Sequence, residues 1–149
     1  MQRAIQLLIF TASLCLLNKA VFAAADSPAG LWQTIDDKSG KPRSLIRITE
    51  QAGELNAVVE KGLLPTDTGE KVCDKCTDTR KGQKIIGMTI AQGLKKNGQK
   101  YDGGEILDPE SGKLYKCKMK LDDTGNKLEV RGYIGVSLLG RSQIWTRVE

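Results

Sequence analysis

The sequence predicts an all-β fold, a small closed antiparallel barrel of about eight strands. Three observations point to it. Short runs with apolar residues at every second position recur along the chain. Clusters of Gly, Asp, Asn and Pro separate these runs, and such residues turn the backbone. No segment after Pro28 spaces its apolar residues as one face of a helix would. Closing the sheet would remove the free edges that invite aggregation.

The chain begins with a segment of different character. Arg3 gives it a positive start, and residues 5–17 are apolar apart from Gln6, Thr11 and Ser13. Val21-Phe22-Ala23 and Ala23-Ala24-Ala25 each fit a small-x-small cleavage rule. Residues 1–23 therefore read as a secretory signal peptide, cut after Ala23 or Ala25. An apolar run of 13 residues is too short to span a bilayer, which takes about 20, so no transmembrane span is expected. Leu14 before Cys15 is too large for a lipid-modified cysteine. The mature protein is expected in the periplasm or outside the cell.

Export changes the totals. Removing residues 1–23 from 149 leaves 126, enough for one domain over 29–149. Arg3 and Lys19 leave with the signal, so a net charge of +5 becomes +3. Cys15 leaves too, and Cys73, Cys76 and Cys117 stay. A small positive charge of mixed signs is no nucleic-acid footprint, and 5% aromatic residues offer few stacking surfaces. No His is present, which excludes Ser-His-Asp and Cys-His catalysis and imidazole-bound metals.

The strands follow in order. Residues 30–35 (GLWQTI) form the first, stopped by Asp36-Asp37. Residues 44–50 (SLIRITE) and 54–61 (ELNAVVEK) flank a turn at Gln51-Ala52-Gly53, and Leu55, Ala57 and Val59 share one face. Residues 62–84 are polar and without periodicity, a length at which a loop is often functional. Residues 85–91 (IIGMTIA) are a fourth strand, and 101–107 a fifth, bent at Gly103-Gly104. Asp108-Pro109-Glu110-Ser111-Gly112-Lys113 is a turn. Residues 114–121 then place Tyr115, Cys117, Met119 and Leu121 on one face and Lys116, Lys118 and Lys120 on the other. Residues 127–134 and 142–148 complete the set.

Four segments recur in a familiar order: GLWQTIDD, CDKC, GGEILDPESGKLYKCKMKL and VRGYIGVSLLGRSQIWTRV. Together, over residues 29–149, they resemble a family of small exported bacterial proteins known as a domain of unknown function. The resemblance implies a lipocalin-like, or calycin-type, β-barrel and brings no enzymatic activity. Gly30-x-Trp32 also resembles the lipocalin first-strand signature, whose Trp closes the barrel floor beneath a late Arg. Gly30, Trp32, Arg141 and Arg147 are the residues here that would close the barrel, the arginines by stacking on the ring.

Candidate chemistry is sparse. Cys73 and Cys76 form a CxxC that in an oxidising envelope closes a small disulfide loop. Pairing of Cys117 with either of them, a redox pair and a three-thiolate metal site are the alternatives, and no second CxxC supports a metal. Asp36, Asp37 and Asp108 are carboxylates at strand ends, where turn chemistry competes with acid-base catalysis. The Lys116, Lys118 and Lys120 stripe suits a solvated face or an anionic surface. Tyr133 and Trp145 fall on faces opposite the most aliphatic positions, outside the barrel or at its mouth. Residues 135–140 (GVSLLG) make an apolar loop that caps the barrel or meets a partner.

The expected function is non-catalytic and cofactor-free. A small apolar or amphipathic ligand in the barrel, contacted by Tyr115, Tyr133 and Trp145, is the first expectation. The alternative is a structural or interaction module that meets another envelope protein through residues 62–84 and the outer surface.

Overall fold

Alternating strands and the turns between them build one closed sheet. The computed structural model describes residues 26–149. The expected signal peptide, Cys15 and both cleavage positions lie outside the described residues. The strands are β1 (Gly30–Ile35), β2 (Pro42–Gln51), β3 (Glu54–Gly62), β4 (Thr89–Asn97), β5 (Lys100–Asp108), β6 (Lys113–Leu121), β7 (Lys127–Tyr133) and β8 (Gly140–Arg147). Each runs antiparallel to the next, and β8 returns to β1 through Trp32↔Arg147 and Gln33↔Thr146, closing an eight-stranded barrel. There is no helix among the described residues.

Most strand ends move by one or two residues from their sequence expectation. The fourth moves further. Residues 85–88 are not strand, and β4 runs on from Thr89 to Asn97. Gly87, at φ 88°, breaks the extended run after two isoleucines. Pairing with β3 begins at Val58↔Thr89, and register shifts at Ala57 absorb the irregular stretch that follows.

Carboxylates set the turns as the sequence suggests. The Asp122 carboxylate accepts bonds from the amides of Asn126 and Lys127 and from the Thr124 hydroxyl, between β6 and β7. The Asp108 carboxylate accepts the Glu110 amide and the Ser111 hydroxyl. Asp36 likewise accepts the Ser39 amide at 2.7 Å and the Ser39 hydroxyl at 2.8 Å. These bonds hold the Asp36 and Asp122 carboxyls below their ordinary value, Asp36 chiefly through the Ser39 hydroxyl and Asp122 through the Lys127 amide.

Inward side chains fill the barrel unevenly. Trp32, Ile48, Leu55, Leu94, Met119 and Leu128 are fully buried at the end where the turns β2–β3, β4–β5 and β6–β7 meet. Cys117 is buried with them and unpaired, and burial pushes its thiol up to about 12. The opposite end is framed by residues 36–41, 63–88, 109–112 and 134–139, and there the interior is open.

Candidate functional site: the open end of the barrel

A cavity of about 820 Å³ opens at this end. Its inner wall is largely aliphatic, with Ile46, Val59, Ile90, Ile106 and Val130 facing Tyr115 and Trp145. Period-two alternation puts them there: Ile106 pairs with Tyr115 across β5–β6, and Val130 with Gln143 across β7–β8.

Polar groups gather toward the rim. β8 turns Arg141, Gln143, Trp145 and Arg147 to the inside, running from mouth to floor. The Trp145 indole N–H donates to Gln143 Oε1 at 3.1 Å, and Gln143 Nε2 donates to Asp37 Oδ2 at 2.8 Å. Arg141 Nη1 lies 2.7 Å from the same Asp37 oxygen. On the β1–β2 wall the hydroxyls of Thr34 and Ser44 share a 2.8 Å hydrogen bond. Arg43 pairs with Glu110 across the mouth. Five acidic and five basic side chains line the cavity, so the mouth presents no net charge to select an ion.

The three aromatic residues expected to contact a ligand occupy different places. Tyr115 is inside, half-buried on the cavity wall. Trp145 is also inside, only 3% exposed, which corrects its expected position outside the barrel or at its mouth. Its neighbour Ile144 is the outward residue. The register decides this, because Arg147 must face inward to meet Trp32, and Trp145 is two residues before it. Tyr133 takes the outer side of β7 at the rim, with Lys118 Nζ 5.5 Å from its ring centre.

The closing residues also separate. The Arg147 guanidinium stacks 4.3 Å from the Trp32 ring centre. Its nitrogens donate to the carbonyls of Ser27, Ala29 and Gly125 at 2.6–2.8 Å. The Trp32 indole donates to the Pro28 carbonyl at 2.7 Å. A Cβ at residue 30 would strike both the Arg147 guanidinium and the Glu149 carbonyl, which is why glycine stands there. Arg141 is at the other end of the barrel, on Asp37.

Residues 62–84, expected as one polar loop, fold against the mouth. Cys73 and Cys76 are joined by a disulfide, and both are fully buried. The Cys73 amide donates to Gln83, the Gly82 amide to Cys73, and the Ile85 amide to Lys71. Gly112, in the β5–β6 turn, meets the Lys75 carbonyl so closely that no side chain fits between them. The disulfide thus braces the segment against that turn. Ile85 and Ile86 pack onto the core and line the cavity from above.

Arg43, Gln143 and the Thr34–Ser44 pair went unnoticed in the sequence. One signal was available for Gln143 and for the position of Arg141. Once Arg147 is set inward, period two carries the same face back through residues 145, 143 and 141. Asp108 and Asp36 hold turns, while Asp37 is the carboxylate of the mouth network.

No helix among the described residues is long and apolar enough to cross a membrane. No curated protein matches the chain. Among solved structures, a Helicobacter pylori protein, HP1028, described as belonging to the lipocalin family, is similar in fold. The two align with a TM-score of 0.70 at 20% identity, covering 83% of this chain and 84% of that one. The barrel is therefore lipocalin-like in fold. A family model for uncharacterized proteins conserved in bacteria, DUF2147, matches residues 30–147, and the chain belongs to that family.

Proposed function

We propose that this protein is a non-catalytic carrier that takes up a small apolar or amphipathic molecule inside its barrel. One observation carries the reading: a cavity of about 820 Å³, set above the packed end of the barrel, aliphatic in its depth and polar at its rim. A pocket of a few hundred to a thousand Å³ with few convergent polar groups is the usual form of a small-molecule site. The apolar wall would bury a hydrocarbon portion, and the Asp37–Gln143–Arg141 network would bond a polar end. The work is placed in the bacterial envelope, after export. The signal-like character of residues 1–23 and the buried disulfide, which an oxidising compartment maintains, support that location.

The test has two parts. Native mass spectrometry of protein purified from its own cells should reveal a co-purifying small mass. Titration with a fluorescent long-chain amphiphile should saturate at one site and quench Trp145. The Val130→Trp variant, which fills the cavity, should bind at least tenfold more weakly. Absence of both the small mass and saturable uptake would overturn the proposal.

A further inference from the structure

Beside the mouth, the β7–β8 loop holds four aliphatic side chains in water. Ile134 is 62% exposed, Val136 60%, Leu138 89% and Leu139 71%. Scattered single residues would be ordinary, but four within six positions make a patch.

The loop is shaped rather than loose. The Ile134 amide donates to the Leu139 carbonyl at 3.3 Å, and the Leu139 amide to the Val136 carbonyl at 3.0 Å. Arg131, on the outer face of β7, donates to the carbonyls of Ser137 at 2.9 Å and Leu138 at 3.3 Å, and to the Ser142 hydroxyl at 3.1 Å. Four of the loop's six backbone carbonyls, those of Val136, Ser137, Leu138 and Leu139, are thus satisfied from the protein side. Carbonyls without partners resist entry into an apolar phase, and here that cost is reduced.

Cations lie below the loop on the same outer face. Lys116 pairs with Tyr133 across β6–β7, and Lys118 with Arg131. Neither lysine takes part in an ion pair among the described residues. Tyr133 stands level with Lys116 and between Lys118 and the aliphatic tip, with Lys118 over its ring. The order from the tip inward is aliphatic, then aromatic and cationic. That order matches the depth profile of an anionic bilayer, whose acyl region lies beneath an aromatic-favouring boundary and a negative headgroup layer.

We propose that residues 134–139, with Tyr133, Lys116 and Lys118, dock this barrel onto an anionic lipid surface. The aliphatic tip enters the acyl boundary, and the two lysines engage headgroup phosphates. Because the loop borders the cavity mouth, docking brings that mouth to the bilayer. The surface shares Tyr133, Ile134 and Leu139 with the cavity rim, and its test reads vesicle association rather than ligand uptake.

The experiment is co-sedimentation of the mature protein with vesicles of phosphatidylglycerol and phosphatidylethanolamine, against phosphatidylcholine alone. The protein should bind the anionic vesicles at low salt and release as salt rises. Leu138→Asp with Leu139→Asp should weaken binding at least tenfold. Lys116→Gln with Lys118→Gln should weaken it about 25-fold, at about fivefold for each lysine. All four side chains are exposed or half-exposed, so circular dichroism and melting should be unchanged and a misfolded variant would be visible. Failure to bind anionic vesicles, or binding by both double variants as tight as that of the unaltered protein, overturns the proposal. So does a dimer in sedimentation velocity that Leu138→Asp converts to monomer, since a second copy would then be the occupant.

Discussion

The two ends of this barrel are built from the same eight strands and behave as opposites. At the floor, the inward column of β8 ends in Arg147, and every polar atom of that side chain meets a carbonyl or a ring. At the mouth, the same column ends in Gln143 and Arg141, whose shared partner Asp37 is partly open to water. The floor is closed by one large aromatic residue with a fitted cation. The mouth is held by turns, a disulfide-braced segment and a mixed-charge rim. Packing density thus changes along a single strand because the occupants of one face change size and charge.

The largest expected effect lies at the floor. Trp32→Ala empties the closed end and should cost about 4 kcal/mol in chemical denaturation. If it costs less than about 1 kcal/mol, the floor is not the stable end. Arg147→Ala removes three carbonyl partners and the ring contact and should cost about 2–3 kcal/mol. Arg147→Lys should recover only part of this, since a lysine lacks the planar fork.

The mouth should respond differently. Replacing Cys73 and Cys76 together by Ser opens a four-residue ring, which chain entropy values at about 2 kcal/mol. Hydrogen exchange should quicken over residues 70–87 and stay unchanged in β1 and β8 near Trp32. Uniform quickening would erase the distinction between the ends. Val130→Trp should alter stability by about 1 kcal/mol or less, because the added ring enters empty space, whereas the same enlargement in a packed core costs about 1–3. Its effect belongs to ligand uptake.

Cys117 offers the finest probe, because it sits where packed and open halves meet. Desolvation raises its thiol to about 12 from the ordinary 9.0. The unfolded chain therefore releases this proton first as pH rises. Relative to Cys117→Ala, stability should be constant below pH 9 and fall as pH climbs toward 12. Alkylation at pH 8 should proceed only on unfolding. Rapid labelling of the native protein would mean that the cavity reaches deeper than Tyr115.

Much of this was legible in the residues. Alternation in LYKCKMKL placed Tyr115, Cys117 and Met119 inside, because a strand with one buried face repeats every two residues. The Gly30-x-Trp32 element marked the closing end, and the CxxC marked a local disulfide. The β4 boundary was not legible, since Ile85 and Ile86 look like strand yet serve as a lid on the core. The inward face of β8 was hidden from hydropathy, though an inward Arg147 fixes it by period two. Ile144 and Trp145 are both apolar, and hydropathy alone cannot choose between them.

Sequence alone determined the strand count, the turns and the faces of the strongly alternating strands. Those depend on neighbours within a few residues, which the chain itself supplies. Only the tertiary structure decided which end is open, which arginine meets Trp32 and how the disulfide segment seats on the β5–β6 turn. Each of those depends on register between strands far apart in the chain, and a shift of one residue would reverse every face.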